Sequence, residues 1–92
     1  MFYLVCFDIV EDLPRARVAR VLKEYGERVQ KSVFECPNLN ENRFLRMKTR
    51  VEDLIDTTQD SVRYYILCRS CLSKMEFTGI GKFPEREAYR VV

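Results

Sequence analysis

Ninety-two residues leave room for one small domain, and a chain this short buries only about 60–65% of its unfolded surface, so pairing with a second copy would add stability. At 47% hydrophobic and 33% charged residues the composition excludes a disordered chain, and the lack of any run of about 18 apolar residues excludes a membrane-spanning helix. The net charge is only +2 but segregated: residues 1–14 are net −3, residues 15–50 carry ten Arg and Lys against four Glu, and residues 51–60 are net −4. A basic middle of this kind suits phosphate binding.

The run Phe2 to Phe7 is aromatic and β-branched without polar alternation, which predicts a strand covered on both faces. It has no basic lead-in and meets Asp8 too early for a secretory signal, so a cytoplasmic location is expected. Asp12 is placed to cap a helix over about residues 12–25, with Pro14 tolerated in its first turn. Val18, Val21, Leu22 and Tyr25 recur at i, i+3, i+4 and i+7 as one apolar stripe. Gly26 is expected to end that helix as a left-handed residue. Arg28 to Cys36 predicts two short strands joined by a tight turn or kink, closed by Pro37. Asn38 or Asn40 then caps a second helix with Phe44, Met47, Val51, Leu54 and Ile55 on one side, fading at Thr57-Thr58. Val62 to Cys68 reads as a strand apolar on both faces. Lys74 to Thr78 and Glu87 to Val92 are weaker strand candidates around a Gly79–Pro84 turn.

Cysteines stand at 6, 36, 68 and 71 and are expected to be free thiols in a reducing compartment. Cys68-Arg-Ser-Cys71 has zinc-knuckle spacing, but no second CxxC and no histidine accompanies it. A zinc site would need all four thiolates gathered by folding.

The order strand, helix, two strands, helix, strand predicts an α+β, ferredoxin-like βαββαβ domain with an antiparallel sheet. It spans residues 1–92, with a core over about 2–68 and C-terminal strands 74–92 packing on a partner. The first and last core strands are expected in the middle of the sheet. One layer of helices covers one face only, so the other face predicts a sheet-to-sheet homodimer. A lone aspartate at a strand's end is most often a loop or capping residue, but if the sheet faces pack about a two-fold the two Asp8 side chains converge, and paired carboxylates suit Mg²⁺ or Mn²⁺. Arg15 and Arg17 flank the apolar stripe of the first helix, and guanidinium forks suit phosphate oxygens.

Three stretches resemble the CRISPR-associated (Cas) protein two family, the small ferredoxin-like subunit of spacer acquisition. They are Leu4-Val5-Cys6-Phe7-Asp8-Ile9, the pair Arg15 and Arg17, and Tyr25-Gly26-Glu27-Arg28-Val29-Gln30-Lys31-Ser32-Val33-Phe34-Glu35. Phe7 stands where the family most often has tyrosine, and Lys31 where an aromatic is common. The resemblance implies a metal-dependent endonuclease on RNA or DNA with Asp8 as catalytic residue and metal ligand. It further implies nucleic-acid contacts from Arg15, Arg17 and Arg28, supporting roles for Phe7 and Phe34, and a CRISPR integrase subunit as partner. The alternative is a non-catalytic subunit that bridges DNA within the integrase complex. Lys23, Arg43, Arg46, Lys48 and Arg50 are candidates to extend the phosphate-tracking surface.

Overall fold

Side-chain alternation along the first strand decides how the sheet is covered. In the computed structural model, which describes residues 1–81, β1 (Phe2–Asp8) turns Tyr3, Val5 and Phe7 to one face and Leu4, Cys6 and Asp8 to the other. The first three are buried and belong to the main apolar cluster. α1 (Asp12–Leu22) follows, then β2 (Glu27–Gln30), β3 (Val33–Cys36), α2 (Glu41–Glu52), β4 (Ser61–Leu67) and α3 (Arg69–Ser73). The strands run in the order β2-β3-β1-β4, and every pairing is antiparallel. This is the ferredoxin-like βαββαβ fold expected from the element order, with a short third helix added.

The register puts Val5 opposite Phe34 and Tyr64, and Tyr3 opposite Cys36, so these residues share the covered face. There they meet Val18, Leu22, Met47 and Val51 from the two longer helices, all fully buried. Tyr3 stacks on Phe44 with centroids 4.2 Å apart, and Phe44 meets Tyr64 edge-on at 5.4 Å. Each such side chain contributes about 1.5–3 kcal/mol on burial, and the aromatic contacts add their own geometry.

Several sequence expectations need correction. Among the described residues β4 is an edge strand, not a central one, and β1 and β3 occupy the middle. Apolar residues on both faces of a strand report what will be covered, not which neighbours it pairs with, and Tyr65 and Ile66 of β4 remain 44% and 60% exposed. Glu11, not Asp12, occupies the N-cap of α1, without a side-chain bond. Asp12 instead opens the helix and pairs with Arg15. Of the two candidate caps for α2, Asn40 is the one used, its side chain accepting from the Arg43 N–H at 2.8 Å. α1 ends three residues earlier than expected, and turns from Glu24, Tyr25 and Gly26 back to Val21 and Leu22 finish it.

Gly26 does not adopt a left-handed conformation. Its role is close approach: a Cβ there would sit 2.2 Å from the Glu35 carbonyl oxygen and 2.6 Å from Cys36 Sγ. The missing side chain lets the end of α1 lie directly on β3.

The expected strand at Lys74–Thr78 is not formed among the described residues, where α3 precedes it. Glu87–Val92 lies outside the described residues. No helix among them is long and apolar enough to cross a membrane.

Candidate nucleic-acid and metal-binding site

Asp8 is the last residue of β1, opposite Ser61 of β4. It is exposed, and by alternation it stands on the face that α1 and α2 leave uncovered, together with Leu4, Cys6, Arg63 and Tyr65. Among the described residues its carboxylate makes no hydrogen bond or ion pair.

The loop that carries Asp8 into α1 is fixed from two sides. The Arg15 guanidinium donates to the Ile9 carbonyl at 2.9 Å and pairs with Asp12. Asp60, 9% exposed, accepts from the Val10 N–H at 2.9 Å through one carboxylate oxygen and from the Asp56 N–H at 3.0 Å through the other. Asp60 therefore ties the β1–α1 loop to the turn before β4, two residues from Asp8. Composition gives no hint of it, because one aspartate in an acidic stretch looks like solvated charge.

The β2–β3 turn is held to the same region by the Phe7 N–H, which donates to the Ser32 carbonyl at 3.0 Å. Arg28 donates to the Lys31 carbonyl through Nε at 3.0 Å and a terminal nitrogen at 2.5 Å. Its guanidinium lies 5.6 Å from the centroid of the Phe34 ring, which stacks at 6.2 Å on Phe7. Phe7 and Phe34 are buried in the main cluster, with Phe34 beneath the Arg28 guanidinium.

The anticipated residues thus fall into two groups. Asp8 faces the uncovered side of the sheet. Arg15 and Arg28 meet on the helix side, in a cleft of about 430 Å³ lined also by Asp12, Ala16, Ala19, Arg20 and Lys23. Arg17 is exposed on α1 outside that lining. Four cations around one carboxylate make the cleft electropositive. Sequence reasoning missed Arg20, although Ala16, Ala19, Arg20 and Lys23 follow helical spacing and the two alanines leave room between the charges.

The other basic candidates are largely engaged. Arg50 forms a two-pronged bond with Glu24, both distances 2.9 Å, which lowers the Glu24 pKa. Arg43 and Arg50 lie 5.1 and 5.7 Å from the Tyr25 ring centroid, and Lys48 pairs with Glu52 at 2.7 Å. The Arg43 and Arg50 interactions join the end of α1 to α2. On the uncovered face Glu35 stands opposite Glu27, and partial burial together with that neighbouring charge raises its pKa.

No group of three or more metal-ligating side chains occurs among the described residues. Cys6 and Cys36 lie on opposite faces of the sheet and Cys68 and Cys71 flank the start of α3, so the four thiols do not form a zinc centre. The exposed Asp8 carboxylate is a donor type that a hydrated Mg²⁺ or Mn²⁺ accepts, because such ions keep several waters and take one or two carboxylates.

Over residues 1–75 the chain matches the family described as CRISPR associated protein Cas2. It is 41% identical over 86 residues to the CRISPR-associated endoribonuclease Cas2 1 of Chloroflexus aurantiacus, covering 92% of this chain and 91% of that protein. A solved structure of a hypothetical protein from Thermus thermophilus, TT1823, superposes with a TM-score of 0.80 at 40% identity, covering 91% of this chain and 96% of that one. A chain of a partial Cas6-RT-Cas1–Cas2 complex superposes with a TM-score of 0.72 at 30% identity, covering 83% and 88% respectively.

Proposed function

We propose a role in CRISPR adaptation for this chain, which belongs to the CRISPR-associated protein Cas2 family, as a homodimer that hydrolyses a phosphodiester of RNA or DNA at a paired Asp8 site. The observation that carries this reading is the Asp8 carboxylate, unengaged among the described residues, at the end of a central strand and on the uncovered sheet face. A second copy laid sheet to sheet covers Leu4, Cys6 and Tyr65 and brings its own Asp8 toward the first. Together the two carboxylates would hold Mg²⁺ or Mn²⁺, which when bound supplies Lewis-acid polarisation of the phosphodiester.

The chain's own residues do the rest. Asp60 and Arg15 hold the loop so that Asp8 keeps a fixed position. Arg15, Arg20, Lys23 and Arg28 hold backbone phosphates in the electropositive cleft, and exposed Arg17 extends that surface. With no histidine in the sequence, neither acid nor base comes from an imidazole.

The basic cleft also favours a second reading, in which the dimer bridges DNA beside a Cas1 integrase subunit and Asp8 is dispensable. The likeness to a chain of a Cas1–Cas2 complex supports it. One set of experiments separates the two. Wild type and Asp8→Ala are given labelled RNA and duplex DNA with Mg²⁺, Mn²⁺ or EDTA. Cleavage by wild type that disappears in the variant and in EDTA, with binding retained, supports the nuclease. Absent cleavage with DNA binding intact supports the bridge. For either reading, the salt dependence of duplex binding should flatten in Arg20→Ala/Lys23→Ala by a log–log slope of up to about 2, near 0.9 for each phosphate no longer neutralised. An unchanged slope removes the cleft from the interface.

A further inference from the structure

Cys68 and Cys71 lie where the chain leaves β4. Cys68 is the N-cap of α3, with extended dihedrals (φ −79°, ψ 171°), and its carbonyl accepts from the Leu72 N–H at 3.0 Å. In that conformation an N-cap side chain folds back over the first turn toward the third helical residue, which here is Cys71. The Cys68 side chain makes no cap hydrogen bond, and its thiol and that of Cys71 are close enough to influence each other's ionisation. Both residues are exposed, whereas the adjoining Leu72 is fully buried and anchors the segment. Cys36, by contrast, is buried.

We propose that Cys68 and Cys71 form a redox-active dithiol that closes to an intramolecular disulfide by exchange with a low-molecular-weight disulfide such as oxidised glutathione. Residues three apart on a helical turn have Cβ atoms about 5–6 Å apart, and the extended N-cap lets the pair approach the shorter separation a disulfide needs. In the exchange the Cys68 thiolate attacks one glutathione sulfur, breaking the S–S bond and releasing one glutathione thiolate, which takes up a proton. The Cys71 thiolate then attacks the Cys68 sulfur, forms the Cys68–Cys71 bond and releases the second glutathione. The protein has lost two protons and two electrons, and the glutathione disulfide has gained them. The thiols divide the roles as this order requires: the adjoining Cys71 backbone and thiol hold the Cys68 thiol below the ordinary thiol range, and Cys71 is raised beside it. Closure ties the exit from the exposed edge strand into a covalent ring. This inference does not depend on the Asp8 reading.

The test uses the full chain, reduced and then incubated with oxidised glutathione. Free thiols are counted after denaturation, and alkylated peptides are mapped by mass spectrometry. The expected result is a fall from four titratable thiols to two, with the loss confined to the peptide holding Cys68 and Cys71 and the protein's mass unchanged on a non-reducing gel. Cys71→Ser should trap a glutathione adduct on Cys68, and Cys6→Ser should leave the loss of two thiols intact. Retention of all four thiols, a disulfide-linked dimer, or loss of two thiols that persists in Cys68→Ser would each overturn the proposal.

Discussion

Replacing Asp60 by alanine tests whether the loop beside Asp8 is held by that one buried carboxylate. The substitution removes two acceptors at once, those of the Val10 and Asp56 N–H groups. Hydrogen bonds to a charged group are worth about 1.5–3 kcal/mol each. Val10 is 58% exposed, so its N–H can be partly rehydrated and the lower bound applies. Asp60→Ala should therefore cost about 3 kcal/mol. For a domain of this size that lowers Tm by about 12–24 °C, at about 4–8 °C per kcal/mol. Asp60→Asn keeps one carbonyl acceptor and should lose about half as much. Exposed Asp53→Ala should stay within about 0.5 kcal/mol of wild type. Urea and thermal unfolding followed by circular dichroism measure this, at one fixed protein concentration because self-association adds to apparent stability. An Asp60→Ala protein as stable as the Asp53 control would refute the bracket. Because the loop also sets the position of Asp8, any cleavage by wild type should fall in Asp60→Ala even at temperatures where the variant is folded.

Gly26→Ala should destabilise by about 1–3 kcal/mol or more, since its Cβ meets main-chain atoms that have little room to shift; an unchanged melting curve would mean the helix end can lift from β3. Stability should also decline at alkaline pH. Burial pushes the Cys36 thiol up from 9.0 to about 11, and burial, with a smaller contribution from Glu52, pushes the Tyr64 hydroxyl up from 10.0 to about 12. Folded pKa values raised above the unfolded ones mean that the stabilisation is complete below pH 9 and is lost as pH rises through the window from 9 to 12. Tyr64→Phe should blunt the upper part of that decline. Its stability at pH 7 should be retained, because the Tyr64 hydroxyl is buried without a hydrogen-bond partner among the described residues. A Tyr64→Phe protein that still loses stability fully between pH 10 and 12 would contradict this account.

Much of the fold is legible in the sequence because its signals are local. The stripe of Val18, Val21, Leu22 and Tyr25, the aromatic run of β1 and the strand pair ending at Pro37 each announce an element through short-range periodicity. What stays hidden depends on contacts between distant residues. Hydropathy alone cannot place β4 at the edge, because pairing order is a property of the whole sheet. Gly26 stands out in the sequence as a helix terminator, yet its importance lies in Glu35 and Cys36, nine and ten residues away. Asp60, fifty residues from Val10 in sequence, leaves no local trace. For the candidate site, family resemblance supplies Asp8 and the three arginines. Only the fold reveals that Asp8 and the Arg15–Arg28 cleft belong to different sides of the sheet.

The alternation along β1 makes the reading frame of this strand unforgiving. Tyr3, Val5 and Phe7 answer to the helices, while Leu4, Cys6 and Asp8 answer to whatever lies across the open face. One residue inserted between Tyr3 and Asp8 would turn the downstream residues over, driving a carboxylate against Phe34 and Val18 and leaving Phe7 in water. A two-residue insertion would preserve the facing of every side chain and only lengthen the strand. Variation in length here should accordingly come in even steps, whereas the loops on either side of α2 are free of that constraint.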